Sequence, residues 1–385
     1  MRISMISAAL VAALVGYGST IALVLAAAAA VSATPAQTIS WVFAICVAKA
    51  VGSAALSYWH RVPVVLAWST PGAALIAATH GISMAEAAGA FCLAGLLIAA
   101  TGAVKPLGRA IALIPDGIAA AMLAGVLLPF CLKGAGAAQA QPALVLPMVV
   151  VFAWVRLANP ALAVLAALAT GIGLAFATGA AVLPELNFTL PRPEWIVPDF
   201  RLSVLLGLGV PLYLVTMASQ NLPGFAVLRS AGFVPPVRSA LGVTGILSSL
   251  AALFGAHPIN MAAITAAICL GDDVHPDRDQ RWRVGLAYGT FWVCLGFAGP
   301  VLLAVLAALP AALITAIVAL ALLSPLMGAL TGAFAHPDHR FAATVTIAVG
   351  GSGIAAFGIG AAFWGLVGGL LIWGLGLAAV KTRAR

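Results

Sequence analysis

Apolar runs long enough to cross a bilayer recur along the whole 385-residue chain. A bilayer core is about 30 Å thick and takes roughly 20 residues of helix to span. Only 7% of the residues are charged and 63% are hydrophobic, whereas a soluble domain carries roughly 25% charge. A surface so poor in charge has to face lipid. Lipid satisfies no backbone polar group, so spanning segments are helices or closed barrels. Barrel strands would run about 10 residues with alternating polarity. The runs here are longer and apolar on every side, which predicts an all-α polytopic membrane protein.

Fourteen segments are expected, the first seven at roughly 8–30, 36–58, 64–79, 84–104, 115–131, 142–156 and 160–178. The second seven are expected at roughly 202–228, 239–254, 256–271, 284–307, 310–330, 341–358 and 360–380. The longest connection, 179–201, carries Pro184, Pro191, Pro193 and Pro198 and divides the chain in two. With the N-terminus in the cytoplasm, fourteen of the eighteen Lys and Arg fall on the cytoplasmic side. Lys133, Arg192 and Arg201 fall outside, and Lys49 lies within a span. That is the positive-inside asymmetry of an inner-membrane protein, here with both termini cytoplasmic. Seven segments per half make the halves an inverted repeat, as in many secondary transporters. Pro115-Asp116-Gly117-Ile118 leading to Leu127-Leu128, and Pro310-Ala311-Ala312-Leu313 leading to Leu322-Leu323, are a faint trace of it. The Arg2-led first run resembles a secretory signal, but it is too long and carries Gly16-Tyr17-Gly18-Ser19-Thr20 at its centre, so it is read as a retained span.

The net charge of +8 is spread singly over short loops, which argues against nucleic acid as a partner. Cys46, Cys92, Cys131, Cys269 and Cys294 have no C-x-x-C spacing and are read as small buried hydrophobes. No metal or cofactor is expected. Nor is an enzyme, since no span pairs a nucleophile with a base.

Segments three and ten are interrupted. Val62-Pro63-Val64-Val65-Leu66-Ala67-Trp68 is β-branched and proline-led, and Ser69-Thr70-Pro71-Gly72 then has the residues of a helix start. Phe254-Gly255-Ala256-His257-Pro258-Ile259-Asn260 repeats the plan, with Asn260 as the expected cap of a helix from Met261 to Leu270. Broken segments at matched positions point to a midplane transport site, and half-helix N-termini suit an anionic group. The alternative is a pair of proline-kinked helices without a ligand.

Polar groups also lie deep in segments one and eight. Segment one has Tyr17, Ser19 and Thr20, and segment eight has Thr216, Ser219, Gln220 and Asn221. Thr216, Ser219 and Gln220 would share one α-helical face. A Ser or Thr alone can bond back to its own helix, whereas amides in hydrocarbon need partners. Lys49 either faces a partner or a wet cavity, or snorkels to an interface. Glu86 reads as an interfacial carboxylate and Asp116 as a helix-start residue. The interleaved charges from Asp272 to Arg283 read as a solvated loop. His257 is the first candidate for a protonatable group, the alternative being a histidine bonded to backbone at a strand end.

Ala67-Trp68-Ser69-Thr70-Pro71-Gly72-Ala73-Ala74, Val215-Thr216-Met217-Ala218-Ser219-Gln220-Asn221-Leu222-Pro223-Gly224 and Asn260-Met261-Ala262-Ala263-Ile264-Thr265-Ala266-Ala267-Ile268-Cys269 resemble the bacterial benzoate:proton symporter family. So do Val15-Gly16-Tyr17 and Phe363-Trp364-Gly365-Leu366. The resemblance implies a uracil-permease-like fold of 7+7 inverted repeats with short strands in segments three and ten. It implies a core (1–107 and 200–308) that moves, elevator-like, against a gate (108–199 and 309–385). It also implies uptake of benzoate or a similar aromatic acid with protons. Nucleobase permeases of this plan place carboxylates on segments eight and ten; here the matching neighbourhoods offer Ser219, Gln220 and Asn260, which disfavours a nucleobase and suits an acid.

The expected substrate site is therefore Tyr17, Ser69, Thr70, Gly72, Thr216, Ser219, Gln220, Asn260 and Met261, with His257, Glu86 and Lys49 as candidates for proton coupling. The alternatives are a permease of the same plan for a nucleobase or inorganic anion, and a membrane protein that transports nothing. Gly365-Leu366-Val367-Gly368-Gly369 has the spacing of a close-packing helix face, serving either a homodimer or an internal contact.

Overall fold

The computed structural model describes residues 2–104, 115–184 and 189–383. Lys105, Arg109, Arg385 and the expected boundary at 107/108 lie outside the described residues. The first half contains α1 (Ile3–Ala30), α2 (Pro35–His60), β1 (Leu66–Trp68), α3 (Thr70–Ala77), α4 (Met84–Ala103), α5 (Asp116–Ala140), α6 (Pro142–Ala158) and α7 (Ala163–Ala177). The second contains α8 (Leu202–Ser230), α9 (Val237–Ala252), β2 (Ile259–Met261), α10 (Ile264–Leu270), α11 (Arg283–Ala307), α12 (Ala311–Ala333), α13 (Arg340–Gly350), β3 (Ala355–Ala356), β4 (Ile359–Gly360) and α14 (Ala361–Arg383). Among the described residues seven helical stretches are long and apolar enough to cross a membrane: α1, α2, α4, α5, α8, α11 with the turn before it, and α12. Helices α6, α7, α9 and most of α14 are shorter and also apolar.

Local signals set the helix starts. Thr34 and Ser83 form capping boxes with Gln37 and Glu86, and Ser69 Oγ accepts the Gly72 N–H at the start of α3. Several boundaries differ from expectation. Helix α10 begins at Ile264 rather than Met261, and its cap is Ala263, without a side-chain bond. The expected Asn260 cap is thus corrected: Ile259, Asn260 and Met261 are drawn into β2. Helix α5 continues to Ala140, passing through Pro129, since membrane helices tolerate an internal proline. Segment thirteen stops at Gly350 instead of 358, because Gly351-Ser352-Gly353 breaks it and the chain turns through the β3–β4 hairpin.

Helix α4 packs along α9, α2 along α11, α5 along α12, α6 on α7 and α13 on α14, while α1 lies against α3, α10 and α11. Close approaches rest on small residues. A Cβ on Gly95 of α4 would strike the Gly245 carbonyl of α9, and one on Gly289 of α11 would strike the Ala50 carbonyl of α2. Gly365 and Gly369 sit just as tightly on Thr346 of α13, so the small-residue face of α14 serves an internal contact.

Candidate functional site

The two interrupted segments meet at the centre of the fold. β1 and β2 pair antiparallel, with Leu66 opposite Met261, Ala67 opposite Asn260 and Trp68 opposite Ile259. A two-stranded ribbon buried in a helical protein leaves its outer edges to be satisfied by other groups. Serines from flanking helices do this. Ser53 of α2 accepts the Leu66 N–H at 3.1 Å, Ser57 accepts that of Val64 at 3.0 Å, and Ser248 of α9 accepts that of Ile259 at 3.0 Å. Tyr288 of α11 donates to the Leu66 carbonyl at 2.8 Å. The Asn260 amide, oriented to match its neighbours, accepts from the Ser69 N–H and donates to the Met261 carbonyl.

Most of the expected substrate-facing hydroxyls and amides converge here and bond to one another. Ser69 Oγ meets Thr216 Oγ1 at 2.9 Å, and Thr70 Oγ1 meets Thr20 Oγ1 at 3.0 Å. Asn221 Oδ1 accepts the Met261 N–H at 2.9 Å, tying α8 to β2. Gly72 and Met261 are buried beside these groups. Residues Met217–Asn221 form a π-helical turn, a feature frequent at functional sites. The α-helical spacing expected for Thr216, Ser219 and Gln220 therefore does not apply. The wider turn buries Thr216 and Asn221 and leaves Ser219 and Gln220 half-buried, with Ser219 bonding back to Val215.

Beside the crossing stands an aromatic cluster. Tyr17 of α1 lies 5.7 Å from Trp68 and 6.1 Å from Trp292 of α11, and the two indoles are 5.2 Å apart, all between ring centroids. Lys49 of α2 is enclosed by it. Its Nζ lies 2.9 Å from the Trp292 ring centroid and 4.4 Å from that of Trp68, and the residue is 0% exposed. Among the described residues the Lys49 Nζ and the Tyr17 hydroxyl are buried without a hydrogen-bond partner. A cation on a desolvated indole face gains about 2 kcal/mol. That is small against the cost of taking an ammonium out of water, which is several kcal/mol even after relaxation.

The other proton-coupling candidates sit differently. His257 is buried next to the ribbon, where its Nδ1 accepts from Trp41 Nε1 at 2.9 Å. Glu86 stands at the start of α4, bonded to the Ser83 N–H and paired with Arg201 at 2.9 Å. The charged loop after α10 is built around Arg281, which donates to the Leu270 and His275 carbonyls and pairs with Asp272. No group that would hold a metal occurs among the described residues.

A cavity of about 480 Å³ opens between α3, α5, the start of α8 and the β3–β4 hairpin. Leu75, Val126 and Leu208 line its apolar part, and His80, Lys133 and Arg201 its basic part.

The sequence model of the benzoate membrane transport protein family matches residues 1–375. The chain belongs to this family. The family resemblance carried by the stretches around Trp68, Ser219 and Asn260 is thereby borne out. The inner membrane protein YdcO of Escherichia coli K12 is 40% identical over 98% of this chain and 97% of its own length. The benzoate membrane transport protein of Acinetobacter baylyi is 32% identical over 95% of this chain and 93% of its own. In fold, this family member is similar to the transmembrane domain of the cyanobacterial bicarbonate transporter BicA (TM-score 0.57, 15% identity, 98% of each chain). It is also similar to SLC26A9 (TM-score 0.63, 12% identity, 97% of this chain and 65% of that one).

Residue reading missed three features of the site: Trp292, the serines that close the ribbon, and the π turn. Trp292 sits in an ordinary apolar run. The serines carry a faint signal, since Ser53, Ser57 and Ser248 are fully buried hydroxyls on helices of mostly apolar residues.

Proposed function

We propose that this chain is a secondary active transporter that imports benzoate or a similar aromatic monocarboxylate together with protons across the bacterial inner membrane. The observation that carries the reading is the buried crossing of β1 and β2 beside a Tyr–Trp–Trp cluster that holds a lysine and, among the described residues, no carboxylate. An aromatic ring suits offset and edge contacts with Tyr17, Trp68 and Trp292. A carboxylate suits hydroxyl, amide and ammonium donors. Tyr17, Ser69, Thr70, Gly72, Thr216, Ser219, Gln220, Asn260 and Met261 are the proposed surroundings of the substrate. Membership of the benzoate transport family supports the cargo.

The reading includes fourteen membrane segments in two inverted sets of seven, with both termini in the cytoplasm. It includes a core of α1–α4 and α8–α11 sliding against a gate of α5–α7 and α12–α14. The helix pairings support this division, because α2–α11 and α4–α9 fall within one group and α5–α12, α6–α7 and α13–α14 within the other. The cavity lined by Lys133 and Arg201 lies between the groups and would serve as the outer vestibule.

Uptake of labelled benzoate into proteoliposomes under an inward proton gradient tests the reading. Accumulation above empty liposomes that collapses with a protonophore is expected. No accumulation by folded protein would sink the substrate claim. The fold is shared with a bicarbonate transporter, so bicarbonate and other inorganic anions belong in the competition panel.

A further inference from the structure

We propose that Lys49 couples the proton to the anion: its amine takes up one proton as the substrate carboxylate arrives beside it, and the two charges cross together as a pair. The proposal rests on the aromatic-carboxylate reading above and names the group that makes the transport proton-dependent.

The expected carboxylate site, the start of α3, is already occupied by internal bonds. Ser69 Oγ holds the Gly72 N–H and meets Thr216, and Thr70 is bonded to Thr20. The unused donors lie about one side chain away, around Trp68. Lys49 Nζ and Tyr17 OH are both donors, both buried and, among the described residues, both without an acceptor. Buried polar groups in native proteins have partners, and exceptions call for an explanation. Two adjacent donors without an acceptor, one of them an amine, fit an anion.

Among the described residues Lys49 has no countercharge. The ion pairs among the described residues are Glu86–Arg201 and Asp272–Arg281, and neither includes Lys49. The titratable groups around Lys49 are Tyr17 from α1, Cys46 one turn earlier on α2, His257 from the segment before β2, and Tyr288 from α11. None of these is a carboxyl, so a proton on Lys49 gains its opposite charge only when an anion binds. By linkage the anion raises the hold on the proton by the factor by which the proton raises the hold on the anion. Only an N–H bond forms on entry and breaks on release. The cargo is one proton and one monoanion, with no net charge moved. A purely structural lysine, resting on two indoles, predicts none of this.

The test uses purified full-length protein in weakly buffered detergent, with benzoate as the probe and a pH indicator as the readout. The wild type is expected to take up one proton for each benzoate bound, and its uptake in liposomes to ignore an imposed membrane potential. Lys49→Gln and Lys49→Met, checked for monodispersity and thermal unfolding, are expected to lose the proton uptake and at least tenfold in benzoate affinity. Lys49→Arg keeps a fixed charge; it is expected to bind benzoate without proton uptake and to make transport respond to potential. One proton per benzoate still taken up by a folded Lys49→Gln protein would overturn the assignment and leave the substrate reading intact. No benzoate binding by folded wild type would overturn the substrate reading and this proposal with it.

Discussion

Asn221 shows how much one buried amide can carry. Its Oδ1 holds the Met261 N–H and its Nδ2 donates to Met217 Sδ at 3.3 Å, so it fixes the π turn of α8 against β2. Asn221→Ala leaves a buried N–H unpaired, at a cost of about 1–3 kcal/mol. The expected outcome is a lower thermal midpoint in detergent. Thr216→Val removes a bond of the same length scale but leaves Ser69 Oγ still accepting from Gly72, so its expected effect is smaller, about 1 kcal/mol or less. Equal losses in the two variants would contradict this ranking. That Asn221 needed a partner was legible from its type and depth alone. Its partner was not, because the register of two strands distant in sequence decides which N–H it meets. The same limit hid the surroundings of Lys49: its depth in segment two was readable, while the indole that covers it comes from α11.

The β1–β2 ribbon is the element on which the site is built, and it is too short to hold itself. Its free edges are closed by Ser53 and Ser57 on α2 and by Ser248 on α9, helices that occupy the same place in the two halves. Ser53 serves the first residue of β1 and Ser248 the first residue of β2. Ser53→Ala and Ser248→Ala should therefore destabilise by similar amounts, about 1–3 kcal/mol each, by orphaning one buried N–H apiece. Thermal unfolding of the two single variants checks this, and a loss confined to one of them would show the edges to be unequal. The interruption of both segments could be read from Val62–Leu66, Ser69 and Pro71, and from Gly255 and Pro258. The π turn could not, since Met217–Asn221 carries no residue type that distinguishes it from an α turn. Nor could the β3–β4 hairpin, whose residues Ala355-Ala356-Phe357-Gly358 continue the apolar composition of their neighbours.

At the scale of the molecule the helix contacts repeat across the two halves. Exchanging the seven helices of one half for those of the other turns α2–α11 into α9–α4 and α6–α7 into α13–α14, and leaves α5–α12 and β1–β2 as self-pairs. The break at the long 179–201 connection and the sorting of Lys and Arg made this arrangement expected. The packing supports it and is consistent with the core and gate proposed above. The cavity between α3, α5, the start of α8 and the β3–β4 hairpin has His80, Lys133 and Arg201 in its lining. Arg201 is engaged by Glu86, whereas Lys133 is exposed, with its ammonium 5.5 Å from the Phe130 ring centroid. A basic rim above an apolar wall raises the local concentration of an anion before any specific contact forms. Lys133→Glu reverses the sign at the rim without touching the strand crossing. Its KM for benzoate uptake should rise several-fold while the maximal rate stays near wild type. The gap should narrow as salt shortens the Debye length from about 10 Å at 0.1 M to about 3 Å at 1 M. A fall in maximal rate with KM unchanged would instead place Lys133 in the motion of the gate.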